Sequence, residues 1–160
     1  MQHELLVESI VKATEEVFST MLGADVVREP SYVESTPPTA GSGVMSVIGM
    51  VGNWRGSGSI AASPEVACRI CSRMLMTESK GIDDEVLDAF AELTNMILGN
   101  VKTALEPELG PMGLSIPTVV YGRNFTTRSI SQERWTVAPF TWDGDKLEVR
   151  LCLVPNLQDK

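Results

Sequence analysis

One histidine and three cysteines among 160 residues leave little material for several common chemistries. Cys68, Cys71 and Cys152 form no disulfide framework. The CRIC pair at 68 and 71 is followed by no second pair, so a four-ligand zinc centre would need distant carboxylates or another chain. A redox pair usually opens a helix with one cysteine exposed, whereas this pair falls well inside a helical segment, and core packing is expected. Cys152 sits in an apolar strand pattern and is expected in the core. His3 has no defensible triad partner and is expected as an exposed side chain at the chain end.

Other scarcities are equally informative. No apolar run approaches the roughly 18 residues that span a bilayer, so no membrane insertion is expected. The opening MQHELLVESIVKATEEVF carries acids within its apolar pattern and does not look like a secretory signal. Thirteen basic against twenty-one acidic side chains give a net charge of −8, which argues against nonspecific nucleic-acid binding. The glycines of GNWRGSGS lack the GK[ST] ending of a nucleotide-binding loop, leaving turn and close-packing roles. Together these features describe a reduced, cytoplasmic, globular protein.

What is present fits a single α/β domain over residues 1–160, with long helices packed against a largely antiparallel sheet. Residues 5–22 have helical spacing: Leu6, Ile10, Ala13, Val17 and Met21 line one face, and Glu4, Glu8, Lys12, Glu15 and Glu16 lie mostly outside it. ADVVREPSYVES reads as an irregular or edge strand broken by Pro30, and residues 36–43 as a loop. Two short strands follow around a turn at 52–56. Ser63-Pro64 then caps a helix running to about 76. A long helix is expected over 83–106, with Asp83, Asp84 and Glu85 favouring its positive end and Pro107 ending it. SIPTVVYG, ERWTVAPFTW and KLEVRLCLV complete the sheet, the last two joined by a hairpin at WDGD. Trp54, Trp135 and Trp142 fit sheet packing, with an interface as the other use of such side chains.

The informative stretch is DAFAELTNMILGN, residues 88–100. Advancing about 100° per residue places Asp88, Glu92, Asn95, Gly99 and Lys102 on one side of the long helix. Val86, Phe90, Leu93, Ile97, Val101 and Ala104 fall on the other, making a core stripe. Most polar helix faces are simply solvated. Here, however, Asn95 is a modest helix former, and Gly99 costs about 1 kcal/mol relative to alanine. A missing side chain at 99 lets another surface approach the backbone. Glu92 offers an anion for a partner's lysine, and Asn95 offers a donor and an acceptor suited to orienting a water. Asparagine is too weak a base to take a proton alone, so hydrolysis here would depend on positioning.

These residues resemble the signature of the CheX family of chemotaxis phosphatases, within the wider CheC/CheX/FliY group. The likeness rests on Asp88, Glu92 and Asn95 in DAFAELTN, then Gly99 and Lys102, and Pro117 about twenty-one residues after the asparagine. EVFSTMLG and GNWRGSGSIAAS are also similar, so the likeness covers nearly the whole chain. It implies a CheC/CheX-like fold and a phosphatase acting on a CheY-like response regulator phosphorylated on aspartate. Glu92 would contact the regulator's lysine, and Asn95 would orient the attacking water. The regulator would supply Mg2+, and this chain would bind no cofactor or metal of its own. Asp88, Gly99 and Lys102 would support or bind the partner, and Pro117 would shape the adjoining strand or loop. CheC-like members commonly carry two such helix motifs. The first helix here has Glu15 followed by Phe18 where the asparagine would stand, which favours CheX. The resemblance also implies a homodimer whose sheets join. The alternatives are a noncatalytic regulator-binding adaptor or dimeric scaffold and, with least support, an independent small-molecule hydrolase.

Overall fold

A computed structural model describes residues 3–35, 42–123 and 134–156. Among the described residues, three helices cover one face of an eight-stranded antiparallel sheet. The first helix, α1 (His3–Leu22), is followed by β1 (Val27–Arg28) and β2 (Tyr32–Glu34), and then by β3 (Ser42–Gly52) and β4 (Trp54–Ala62). Two helices come next, α2 (Pro64–Leu75) and α3 (Asp84–Leu109). The chain ends in β5 (Met112–Leu114), β6 (Thr118–Arg123), β7 (Trp135–Trp142) and β8 (Asp145–Pro155). The strand order is β1-β7-β8-β4-β3-β5, with β2 also pairing β7 and β6 also pairing β3. No helix among the described residues is long and apolar enough to cross a membrane.

Alternation along the strands builds the core. Val44, Ile48 and Met50 of β3, Ile60 of β4, Phe140 and Trp142 of β7, and Leu147, Val149 and Leu151 of β8 meet the helices. On the far side of the sheet Arg150 is buried between Glu34 at 3.2 Å and Glu148 at 3.1 Å. Cys71 lies in the core and Cys68 packs against it, while Cys152 is buried with Trp135 and Val137. Burial also pushes the Cys68 thiol up from its usual range, away from the thiolate that redox chemistry needs. Trp142 stacks edge-on against Phe18 at 5.3 Å, and Arg69 lies 4.5 Å above its ring.

Several expectations need correction. The ladder between β3 and β4 ends at the Met50–Gly56 pair, so residues 51–55 make the turn, close to the expected 52–56; Gly52 and Trp54 within it also pair with β5 and β8. A Cβ on Gly56 would meet the Cys152 carbonyl oxygen at 1.7 Å, so that glycine serves strand packing. The loop expected over 36–43 lies outside the described residues except at 42 and 43, which already belong to β3; residue 133, which opens the expected strand ERWTVAPFTW, is also outside them. Met21 is 46% exposed, and Leu22 takes the core position before the chain turns at Gly23 with φ +59°. His3 is half-buried in the first turn of α1, its Nδ1 lying 3.2 Å from Thr136 Oγ1, so it is not a free terminal side chain.

Pro107 does not end α3, which continues to Leu109. The proline withholds the N–H that Thr103 would have received. Both residues are exposed, so water can satisfy that carbonyl. Met112–Leu114, not expected as a strand, pairs with Met50–Gly52. Ala104 is exposed rather than core, because α1 and α3 leave a hollow of about 260 Å³ beside it; Leu105 is buried instead.

Candidate functional site

Helix α3 starts where Asp83 accepts the Val86 N–H at 2.9 Å, with Asp84 and Glu85 in the favourable first turn. Its inner face buries Val86, Phe90, Leu93, Thr94, Ile97, Leu98 and Val101. Its outer face presents Asp88, Glu92 and Asn95, all exposed. None of the three has a hydrogen bond or ion pair to another described residue. Glu92 and Asn95 are three positions apart, which sets their Cβ atoms about 5–6 Å from each other.

This arrangement does not serve the helix. Asp88 and Glu92 are like charges at i and i+4, which destabilises a helix by about 0.2–0.5 kcal/mol. Asn95 has poor helix propensity, and Gly99 adds about 1 kcal/mol more. No intramolecular contact requires the glycine: a Cβ there would meet nothing within 4 Å. Position 99 is open ground one turn beyond Asn95.

Directly beneath, the backbone is held firmly. Thr94 Oγ1 donates to the Phe90 carbonyl at 2.8 Å. The same hydroxyl shares a short bond with Ser46 Oγ of β3, which in turn lies 3.5 Å from the Ile60 carbonyl. Both side chains are fully buried. One turn later Leu98 lies on Gly58 of β4, where a Cβ would come within 2.6 Å of Leu98 Cδ1. The turn bearing Asn95 is therefore pinned to two central strands while its side chain remains free.

Lys102 was placed beside this face by its spacing, but the structure turns it toward Glu106 at 3.0 Å. The same carboxylate accepts the Met112 N–H at 3.1 Å. The lysine hydrogen bond first, and then that N–H, hold Glu106 below the usual carboxylate range. Lys102 thus takes part in a clamp joining the end of α3 to β5. Pro117 lies between β5 and β6, where the chain breaks before β6 pairs with the first half of β3.

Sequence reasoning placed the exposed residues but missed their supports. Thr94 had a visible signal, since a polar side chain within the apolar stripe needs a buried partner. Gly58 had one too, because a glycine inside a strand often marks a close approach. Ser46 had none, as its partner is 48 residues away.

A family model described as "Chemotaxis phosphatase CheX" matches residues 44–141, a stretch containing every residue of the motif from Asp88 to Pro117. The chain belongs to the CheX family. It is 33% identical over 87 residues to the CheY-P phosphatase CheX of Thermotoga maritima; the match covers 54% of this chain and 56% of that protein. Among solved structures it resembles the chemotaxis protein CheX from Vibrio vulnificus, with TM-score 0.83 and 27% identity, covering 93% of this chain and 99% of that one. It is also similar to the CheX–CheY–BeF3–Mg2+ complex from Borrelia burgdorferi, with TM-score 0.79 and 25% identity over 92% of this chain and 96% of that one.

Proposed function

We propose that this protein is a phosphatase hydrolysing the aspartyl phosphate of a CheY-like response regulator, with the active site completed between the two proteins. The observation carrying this reading is the exposed Glu92–Asn95 pair: the fold holds its backbone rigidly, gains nothing from its side chains, and leaves open space beside it at Gly99. Family membership and the similarity to a protein named CheY-P phosphatase support the choice of substrate.

The chemistry follows from the groups available. An acyl phosphate already has a good leaving group, so the reaction needs no strong base from this chain. Asn95 holds a water in line with the phosphorus. The water oxygen bonds to phosphorus as the bond to the aspartyl oxygen breaks. The electron pair stays on the regulator's carboxylate, and the water proton passes to a phosphate oxygen or solvent. Glu92 binds the regulator's lysine and so fixes the depth and angle at which Asn95 enters. Mg2+ held by the regulator would supply neutralisation of the phosphate charge. This chain supplies position alone, a contribution that can exceed about 100-fold in rate. Asp88 and Gly99 border the entry, and Lys102 acts through its clamp with Glu106.

The working form we propose is a cytoplasmic homodimer. Among the described residues β6 pairs only with β3, and it and its approach expose Ile116 (87%), Val120 (39%) and Tyr121 (46%), apolar groups suited to packing beside a second copy.

Substoichiometric protein added to phosphorylated regulator with Mg2+ tests the reading. Many phosphates released per molecule are expected. Binding with no acceleration would identify an adaptor instead.

A further inference from the structure

Thr94 stands immediately before Asn95, and its side chain is fully buried between α3 and the sheet. Its hydroxyl donates to the Phe90 carbonyl at 2.8 Å and shares a short bond with Ser46 Oγ of β3, which lies 3.5 Å from the Ile60 carbonyl of β4. We infer that the Thr94–Ser46 pair is a positioning device for Asn95, so that the rate of hydrolysis depends on this bond beyond any effect on stability; the inference rests on the phosphatase reading above for the reaction.

The first argument is chemical. Threonines within helices commonly bond back to the carbonyl four residues earlier, so the Phe90 contact alone is ordinary. Ser46 is not. It meets the helix from between Val44 and Ile48, both fully buried in the core. An apolar pair at 46 and 94 would bury more apolar surface, and replacing both partners of a buried hydrogen bond by apolar groups of the same shape can be nearly neutral. Stability therefore does not account for the pair. A hydrogen bond differs from apolar packing in being directional, weakening steeply below about 120°. Leu98 against Gly58 fixes how closely α3 approaches β4, and the hydroxyl pair one turn earlier fixes how the helix is rotated.

The second argument is geometric. The Asn95 side chain is exposed and has no hydrogen bond to another described residue, so its place is set by its backbone alone. The Cα atoms of residues 94 and 95 lie about 3.8 Å apart across one rigid peptide, so movement at Thr94 passes directly to Asn95. A side-chain amide stands roughly 6 Å from the helix axis, and a rotation of about 10° shifts it by about 1 Å. A misplacement of about 1 Å can cost about 100-fold in rate. Directional anchoring one residue away is what such a tolerance requires.

Two variants separate positioning from stability. Thr94→Ser keeps the hydroxyl and loses a buried methyl. It should lower the Tm yet keep the rate at saturating phosphorylated regulator within about threefold of the wild type. The double variant Ser46→Ala with Thr94→Val buries no hydroxyl. Its Tm should be no lower than that of either single variant, while its saturating rate falls by about 10-fold. In both proteins the Kd for beryllofluoride-activated, Mg2+-loaded CheY-type regulators of the source organism should stay within about twofold. The rate then follows the hydroxyl and not the Tm, an order that a purely structural role would reverse. A double variant at the wild-type rate, with Asn95→Ala still inactive, overturns the positioning role alone. Should the double variant fail to fold, Thr94→Val takes its place, and a saturating rate no lower than that of Thr94→Ser overturns the role equally. If the wild type releases no phosphate from any of those regulators, the phosphatase reading and this inference are both overturned.

Discussion

On the inner side of α3, each distinctive residue has a reason within the molecule. Thr94 is bonded to Phe90 and Ser46, and Leu98 fills the space left by Gly58. On the outer side, Asp88, Glu92, Asn95 and Gly99 have no such reason. The two glycines make the contrast plainest. Gly58 is required by a neighbour 2.6 Å from where its Cβ would lie, whereas nothing stands within 4 Å of where a Cβ on Gly99 would lie. One face of the helix is explained by folding, and the other carries the residues that the proposed function uses.

Substitutions on the two faces should therefore fail in different ways. The largest effect is expected on the outer face: Asn95→Ala should lower regulator dephosphorylation by about 100-fold or more while thermal stability is maintained or rises slightly. Next comes the inner face. Gly58→Ala forces its methyl into buried Leu98 and should destabilise by about 1–3 kcal/mol, read from urea unfolding. Thr94→Val removes the hydroxyl bonded to Ser46 and should cost about 1 kcal/mol, with any loss of activity following from a less firmly held turn. Gly99→Ala should do the reverse, stabilising the chain by about 0.5–1 kcal/mol, because alanine fits and the helix gains. A Gly99→Leu variant sharpens the contrast: it should fold normally yet bind regulator poorly.

The smallest effect concerns pH. Glu106 is held below its ordinary value of 4.5 by Lys102 and the Met112 N–H. Its folded pKa is depressed, so the stability it contributes is fully present above about pH 4.5 and fades as pH falls through the lower folded value. Glu106→Gln should flatten that part of an acid-unfolding curve. An unchanged curve would mean that the clamp between α3 and β5 has no energetic weight.

Much of this contrast could be read from the sequence, because helical periodicity is a local property. Asp88, Glu92 and Asn95 were placed correctly on a wet face opposite Phe90, Leu93 and Ile97 by residue spacing alone. The antiparallel sheet was legible for the same reason, from strand alternation and turn residues. What escaped depends on contacts between distant segments. Nothing local shows that Ser46 meets Thr94, that Gly58 yields to Leu98, or that Lys102 turns away to Glu106. Strand β5, only three residues long and preceded by Pro111, is too short for alternation to register. Ala104 was misplaced because its burial depends on how closely α1 approaches α3. Pro107 signals a stop in the sequence, yet a proline in an exposed last turn forfeits one carbonyl partner to water and no more.

The most direct test of the central claim measures two constants on one variant. For Asn95→Ala, the rate at saturating phosphorylated regulator and the Kd for the beryllofluoride-activated regulator would be compared with those of the wild type. A saturating rate lower by about 100-fold with a Kd within a fewfold is the expected result, since in the proposed mechanism the side chain orients water rather than holding the partner. An unchanged saturating rate would contradict the account, whatever happened to binding.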